Sequence, residues 1–250
     1  MAKAISILVI NPNSSKSMTD ALPPLLEDFT NAQVNIDFYT APATAPPSIN
    51  DEDTTRLSTE KTLPDVMQYI ARRGQEPQHP PYSAYLVACY SAHPITPILR
   101  TSLASPVINI FEASVIKARS LGRPFGIVTT GQYWESALGD AVPSIAIGAE
   151  GQSDQKLGSQ DNFVGVRSTG LTASELHSTP RDEVHRRIVQ ASASLVKEGA
   201  ELILLGCCAM SGMDEAVVAG GRAEGKDVEI IDGVRAGVEL LVAWSQAKAE

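Results

Sequence analysis

The chain reads as an α/β protein in which parallel sheets are covered by helices and the whole is built from two related halves. Three observations predict this. Short apolar runs alternate with segments of helical periodicity along the sequence, a pattern that sets strands side by side with crossover helices on their faces. Four of the runs end in turn residues or a thiol: Ile5–Ile10 leads into Asn11-Pro12-Asn13-Ser14-Ser15, Ala84–Cys89 into Tyr90-Ser91, Phe125–Val128 into Thr129-Thr130-Gly131, and Leu202–Leu205 into Gly206-Cys207-Cys208. The spacing repeats as well, with 79 positions from residue 10 to residue 89 and 79 from residue 128 to residue 207. Val107–Ala113 and Val228–Val234 form a third matched pair in the same order. Internal duplication is the simplest account. Because open α/β sheets hold ligands at the carboxyl ends of their strands, the two thiol-bearing turns predict one shared site.

Taken in order, a strand over Lys3–Ile10 precedes Asn13-Ser14-Ser15, an N-cap group for a helix carrying Met18, Leu22, Leu25 and Leu26. Backbone N–H groups at such a helix start suit an oxyanion or carboxylate. Val34–Tyr39 is the second strand, and the proline-rich Ala41–Asn50 forms a rigid wall or flap. Helical spacing of Leu63, Val66, Met67 and Ile70 predicts a helix over Asp53–Arg73, followed by a surface loop, Gly74–Tyr82, that leaves His79 in solvent. Pro94 and Pro97 allow only a short helix after the first thiol. Val107–Ile110 is the fourth strand, with a helix over Glu112–Ser120.

The second half restarts at Phe125–Val128 with a helix over Gly131–Leu138, which brings Tyr133 and Trp134 near a strand end. Ser144–Ile147 and Phe163–Val166 read as strands separated by a polar loop. Arg181–Lys197 is a helix with Val184, Ile188, Ala191 and Leu195 on one face, stopped by Gly199. The Leu202–Leu205 strand, a helix over Asp214–Ala219, the Val228–Ile231 strand and a helix over Gly233–Ala247 complete the chain.

A length of 250 residues is enough for a substantial core. Twenty basic against twenty-nine acidic residues give a formal charge of −9, without a dense Lys/Arg cluster, which argues against nucleic acid and anionic membrane as partners. A small molecule is the expected partner. The apolar run at the amino terminus is too short for a secretion signal and is broken by Asn11-Pro12-Asn13, and three cysteines, two of them adjacent, make no disulfide framework. A cytoplasmic location is expected. Neither G-x-G-x-x-G after the first strand nor a P-loop is present, so a bound dinucleotide or a P-loop nucleotide is not expected.

Two thiols at matched strand ends leave three chemical readings. A metal site lacks C-x2-C spacing, and His177 and His185 have no matching ligand set. A redox pair lacks C-x-x-C. Acid–base chemistry fits: a thiolate on one face of a substrate removes a proton while a thiol on the other supplies one, which inverts a carbon centre without a cofactor. A thiol of ordinary pKa about 8.5, lowered by helix-terminal N–H groups, coexists as thiol and thiolate near neutral pH. The hydroxyls of Ser14, Ser91, Thr129 and Thr130 sit at predicted strand ends, where donors would stabilise charge on a carbonyl oxygen. Either thiol alone would read as a buried structural cysteine.

Five segments, I-N-P-N-S-S with Met18-Thr19, A-P-P-S-I at Ala45–Ile49, A-C-Y-S at Ala88–Ser91, G-I-V-T-T at Gly126–Thr130 and L-G-C-C-A-M at Leu205–Met210, resemble the hydantoin and allantoin racemase branch of the aspartate/glutamate racemase superfamily. The resemblance spans nearly the whole chain. It implies two Rossmann-like domains related by a pseudo-twofold axis, residues 1–110 with 212–250 and residues 111–211, the C-terminal strand and helix returning to the first. It also implies a homo-oligomer and cofactor-independent proton transfer between Cys89 and Cys207. Binding groups carry over to Asn13, Ser14, Ser48, Ile49, Ser91, Thr129, Thr130, Cys208 and Ala209. The chain departs from the pattern at Ala92-His93-Pro94, where an acidic residue or glycine precedes proline, and at Cys208-Ala209, where alanine and glycine are usual. His93 either faces the site or caps and packs locally, and Cys208 is expected to pack while Cys207 points into the cleft. The expected substrate is a hydantoin or allantoin; a decarboxylase or cis–trans isomerase of the same superfamily and a non-catalytic binder are the alternatives.

Overall fold

Two parallel four-stranded sheets with the same strand order account for the repeat seen in the sequence. The computed structural model describes residues 4–75, 80–145 and 162–247. In the first sheet, β1 (Ile5–Asn11) lies between β2 (Val34–Thr40) and β3 (Ala84–Val87), with β4 (Val107–Asn109) beyond β3, in the order β2-β1-β3-β4. In the second, β5 (Phe125–Thr129) lies between β6 (Phe163–Ser168) and β7 (Leu202–Leu205), with β8 (Glu229–Asp232) outermost, in the order β6-β5-β7-β8. All seven residues of β1 are buried, as are all of β3, β5 and β7. Helices covering both faces of a central parallel strand demand such continuous burial and near-continuous apolar runs.

The register aims the turns. Ile10 pairs with Tyr39 on one side and Val87 on the other, so Asn11 and Ala88 emerge at the same edge of the first sheet. Val128 pairs with Leu205, so Thr129 and Gly206 emerge together from the second.

Two helices begin where local chemistry fixes them. In α2 (Glu52–Arg73) the Asp51 carboxylate accepts from Thr54 N at 2.8 Å while the Thr54 hydroxyl closes the reciprocal bond. This satisfies N–H groups that have no partner inside the helix. Its inner face carries Ser58, Thr62 and Val66. In α4 (Ile110–Leu121) the Asn109 side chain accepts from Glu112 N at 2.7 Å, so the helix starts directly after β4, two residues before the expected Glu112. The expected first helix is broken: α1 covers only Lys16–Asp20, and Pro23 and Pro24 turn the next residues into a 3-10 segment, Pro23–Leu26. The remaining helices are α3 (Ile95–Ser102), α5 (Tyr133–Ala141), α6 (Glu175–Ser178), α7 (Arg181–Lys197), α8 (Asp214–Ala223) and α9 (Gly233–Ala247).

The strand leading to Cys89 ends at Val87, so the thiol sits in the loop at its carboxyl end, as expected. Two other expectations need correction. The Ser144–Ile147 strand does not form as read: Pro143 lies in a 3-10 turn, Val142–Ser144, and positions 146 and 147 fall outside the described residues, as does His79. The C-terminal strand does not return to the first domain, because β8 pairs with β7 and α8 packs on α7. Only α9 crosses back, against α4 and β3. There Gly237 allows a close approach, since a Cβ would lie 2.4 Å from Leu86 Cδ1 and that side chain would have to shift. Among the described residues, no helix is long and apolar enough to cross a membrane.

Candidate active site

Cys89 and Cys207 line one narrow cavity of about 40 Å³ where the carboxyl ends of the two sheets meet. The first sheet contributes Asn13 after β1 and Ala88, Cys89 and Tyr90 after β3; the second contributes Thr130 after β5 and Gly206, Cys207 and Cys208 after β7. Ile49, from the predicted flap, closes one wall, and Met18 and Trp134 add apolar surface. No carboxylate, Lys, Arg or His is among the described residues that line it. A separate groove of about 500 Å³ between α6, α7 and the start of α8 contains none of the thiols. His177 and His185 lie there, and no metal-binding cluster exists among the described residues.

Asn13 is oriented by its neighbours. Its Oδ1 accepts from Asn11 Nδ2 at 3.0 Å and Ser15 N at 2.9 Å, while its Nδ2 meets only Met18 Sδ at 3.5 Å. A thioether is a weak acceptor, so the Asn13 amide keeps donor capacity for a ligand. Ser15, not Asn13, occupies the cap position of α1, and its side chain makes no cap bond.

Cys89 rests as a neutral thiol. Burial pushes its pKa up to about 12, against a smaller lowering by Ser91, whose hydroxyl is 3.3 Å from Sγ, and with a further raising by Cys208. The expected lowering by helix-terminal N–H groups does not prevail at this position, because desolvation disfavours the charged form more strongly. Cys208 is also held well above the ordinary thiol range, by its contact with Cys207 first and burial next. It lines the cavity together with Cys207, contrary to the expectation that it only packs. Asp232 secures the segment that follows: one oxygen accepts from Val234 N and Arg235 N at the start of α9, and the other accepts from Ser211 Oγ.

The remaining predicted residues surround the cavity without lining it. Ser91 touches the Cys89 sulfur. Ser14 N donates to Pro46 O at 3.0 Å and Ser48 Oγ donates to Asn50 Oδ1 at 2.8 Å, both shaping the flap. Thr129 Oγ1 donates to Gly206 O at 3.1 Å, which anchors the turn before Cys207. Ala209 is buried in a 3-10 turn over Cys208–Met210. Sequence reasoning assigned no site role to Met18, Tyr90, Trp134 and Ala173. Ala173 follows β6 as the flap follows β2, so extending the duplication one loop further would have found it.

His93 does not face the cavity. It is fully buried; its Nε2 lies 3.1 Å from Ser58 Oγ and its Nδ1 accepts from Ile95 N, at the start of α3, at 3.2 Å. Burial pushes its pKa down to about 4. The unfolded chain therefore binds a proton below about pH 6.5 that the folded chain refuses until about pH 4. Stability is expected to be full above pH 6.5 and to fall across that window by roughly 3 kcal/mol. Urea unfolding from pH 7 to pH 4 measures this, and His93→Gln should flatten that part of the profile.

A parallel two-sheet α/β protein with paired strand ends that converge on a thiol-lined, uncharged cavity is the class these features define. The Asp/Glu/hydantoin racemase family model matches residues 7–241. An uncharacterized Schizosaccharomyces pombe protein is 36% identical over 242 residues, covering 96% of this chain and 91% of the relative. A hydantoin racemase from Rhizobium meliloti is 29% identical over 239 residues, covering 95% and 87%. The solved structure of allantoin racemase from Pseudomonas fluorescens has the same fold, with a TM-score of 0.78 at 24% identity over 98% of this chain and 92% of that one. The chain belongs to the Asp/Glu/hydantoin racemase family.

Proposed function

We propose that the protein racemises a small, neutral ureido heterocycle, a 5-substituted hydantoin or allantoin, by proton transfer between Cys89 and Cys207. The observation that carries this reading is the position of the two thiols, which come from equivalent strand ends of the two sheets and line one cavity. Its uncharged lining suits a ring without free carboxylate or ammonium, since an unpaired charge in such surroundings is costly.

In one direction the Cys207 thiolate takes the proton from the carbon between nitrogen and carbonyl. The C–H electron pair moves onto the carbonyl oxygen, and the Cys89 S–H then delivers its proton to the opposite face. The products are the inverted ring, a Cys207 thiol and a Cys89 thiolate, and the other enantiomer reverses every step. The high pKa of Cys89 suits it to start as the acid. The Asn13 amide and the Thr130 hydroxyl are the donors that meet the developing oxyanion.

The test follows enantiopure hydantoins and allantoin by circular dichroism. Decay of the signal to zero without loss of carbon dioxide is expected, while aspartate and glutamate stay unchanged. Inertness toward every ureido ring would end this reading. Thr130→Val keeps the shape and removes one donor, and is expected to lower kcat/KM about tenfold; unchanged kinetics would mean that the oxyanion lies elsewhere.

A further inference from the structure

Two loops of the first sheet that line the cavity are joined behind it by a buried polar chain. Ser58 Oγ, on the inner face of α2, lies 2.6 Å from Pro12 O and 3.1 Å from His93 Nε2. Thr62 Oγ1, one turn further along, donates to the same Pro12 carbonyl at 3.1 Å. Ser58, Thr62 and His93 are all completely buried. Pro12 precedes Asn13, and His93 lies near the end of the loop, residues 88–94, that carries Cys89.

The proton positions follow from the partners. A carbonyl oxygen only accepts, so the single Ser58 hydroxyl proton points at Pro12 O, and Ser58 Oγ must accept from His93. Nε2 therefore carries the ring proton. At the other nitrogen Ile95 N–H can only donate, so Nδ1 must present its lone pair. Both neighbours require the same neutral tautomer.

We propose that His93 is a positioning residue which, as the Nε2–H tautomer, locks the Cys89 loop to the Asn13 turn through Ser58 and so fixes the thiol relative to the amide donor. The ring sits behind the reacting groups and takes no proton from the substrate. This inference rests on the reading that Cys89 and Asn13 share the active site, but its test needs no turnover. A protein inert toward every hydantoin would end the racemase reading and leave the chain from His93 to Pro12 to be judged by its own measurements.

Two of these are made on the full chain. Long-range ¹H–¹⁵N spectra at about pH 6 to 8 are expected to show Nε2 protonated and Nδ1 bare, with the Nε2–H signal moved by Ser58→Ala. Iodoacetamide labelling of Cys89, read by peptide mass spectrometry, is expected to accelerate about tenfold in His93→Leu and Ser58→Ala as the loop loosens. His93→Gln places an amide donor near the Nε2 position and is expected to stay within about threefold of the parent. A purely space-filling role would make Gln no better than Leu. An Nδ1–H tautomer, an imidazolium, an Nε2–H signal unmoved by Ser58→Ala, unchanged labelling in Ser58→Ala, or equal labelling of the Gln and Leu variants would overturn the proposal. Should His93→Leu not fold, Ser58→Ala still decides it, because Thr62 continues to hold Pro12.

Discussion

Cys89→Ser and Cys207→Ser are each expected to lower racemisation by roughly 10²- to 10⁴-fold, the range over which one positioned acid or base contributes. In the proposed mechanism each thiol removes the proton from one enantiomer and returns it to the other, so a single replacement would leave half of the reaction. The surviving thiol would still exchange the acidic hydrogen of one enantiomer with solvent. In heavy water the two variants are therefore expected to deuterate opposite enantiomers without inverting them. Cys208→Ser provides the comparison, since Cys208 lines the same cavity and this mechanism assigns it no proton. Loss of the same size in Cys208→Ser, or full activity in either of the first two variants, would contradict the assignment.

Gly206→Ala is expected to be nearly as damaging without touching a reacting group. A Cβ at this position would lie 2.6 Å from Val128 O and 2.9 Å from both Ile127 Cγ2 and Thr129 Cβ. Gly206 N donates to Val128 O at 2.7 Å, and Thr129 Oγ1 donates to Gly206 O at 3.1 Å, so the backbone cannot retreat without breaking the turn that carries Cys207. Overpacking of this kind costs about 1–3 kcal/mol. Because a displacement of about 1 Å at a reacting group can cost roughly 10²-fold, kcat/KM should fall by roughly 10- to 100-fold even where the variant folds. Gly131→Ala, where an added Cβ meets nothing within 4 Å, is the control. A Gly206→Ala enzyme with unchanged kcat/KM would show that the Cys207 turn tolerates movement.

The sequence made these strands legible because a doubly covered parallel strand is buried throughout and near-continuously apolar, as β1, β3, β5 and β7 are. Matched spacing then pointed to Cys89 and Cys207 together. Partner choice at the sheet edge was less legible. Val228–Ile231 has the same apolar content whichever sheet receives it; it pairs with β7, and the helix that leads into it, α8, packs on α7. The donors were blurred for a related reason: Ser48 and Thr129 lie near the site, as expected, but their hydroxyls are spent on Asn50 and on the Gly206 carbonyl, and the backbone N–H of Ser14 is spent on Pro46 O. Periodicity shows where a turn is, not which of its side chains faces inward. The same limit hid the role of His93, whose partner Ser58 lies 35 residues away along the chain and bonds in turn to Pro12, a further 46 residues back.

The most direct measurement of the two-thiol account is wild-type racemisation of one enantiopure hydantoin in heavy water, stopped early and separated by handedness. Proton removal by one thiol and delivery by the other predicts that the inverted product carries deuterium from its first appearance while the recovered starting enantiomer remains protiated. Equal deuterium in both enantiomers at the earliest times would mean that a single group serves both faces, and would contradict the assignment of Cys89 and Cys207 to opposite sides of the ring.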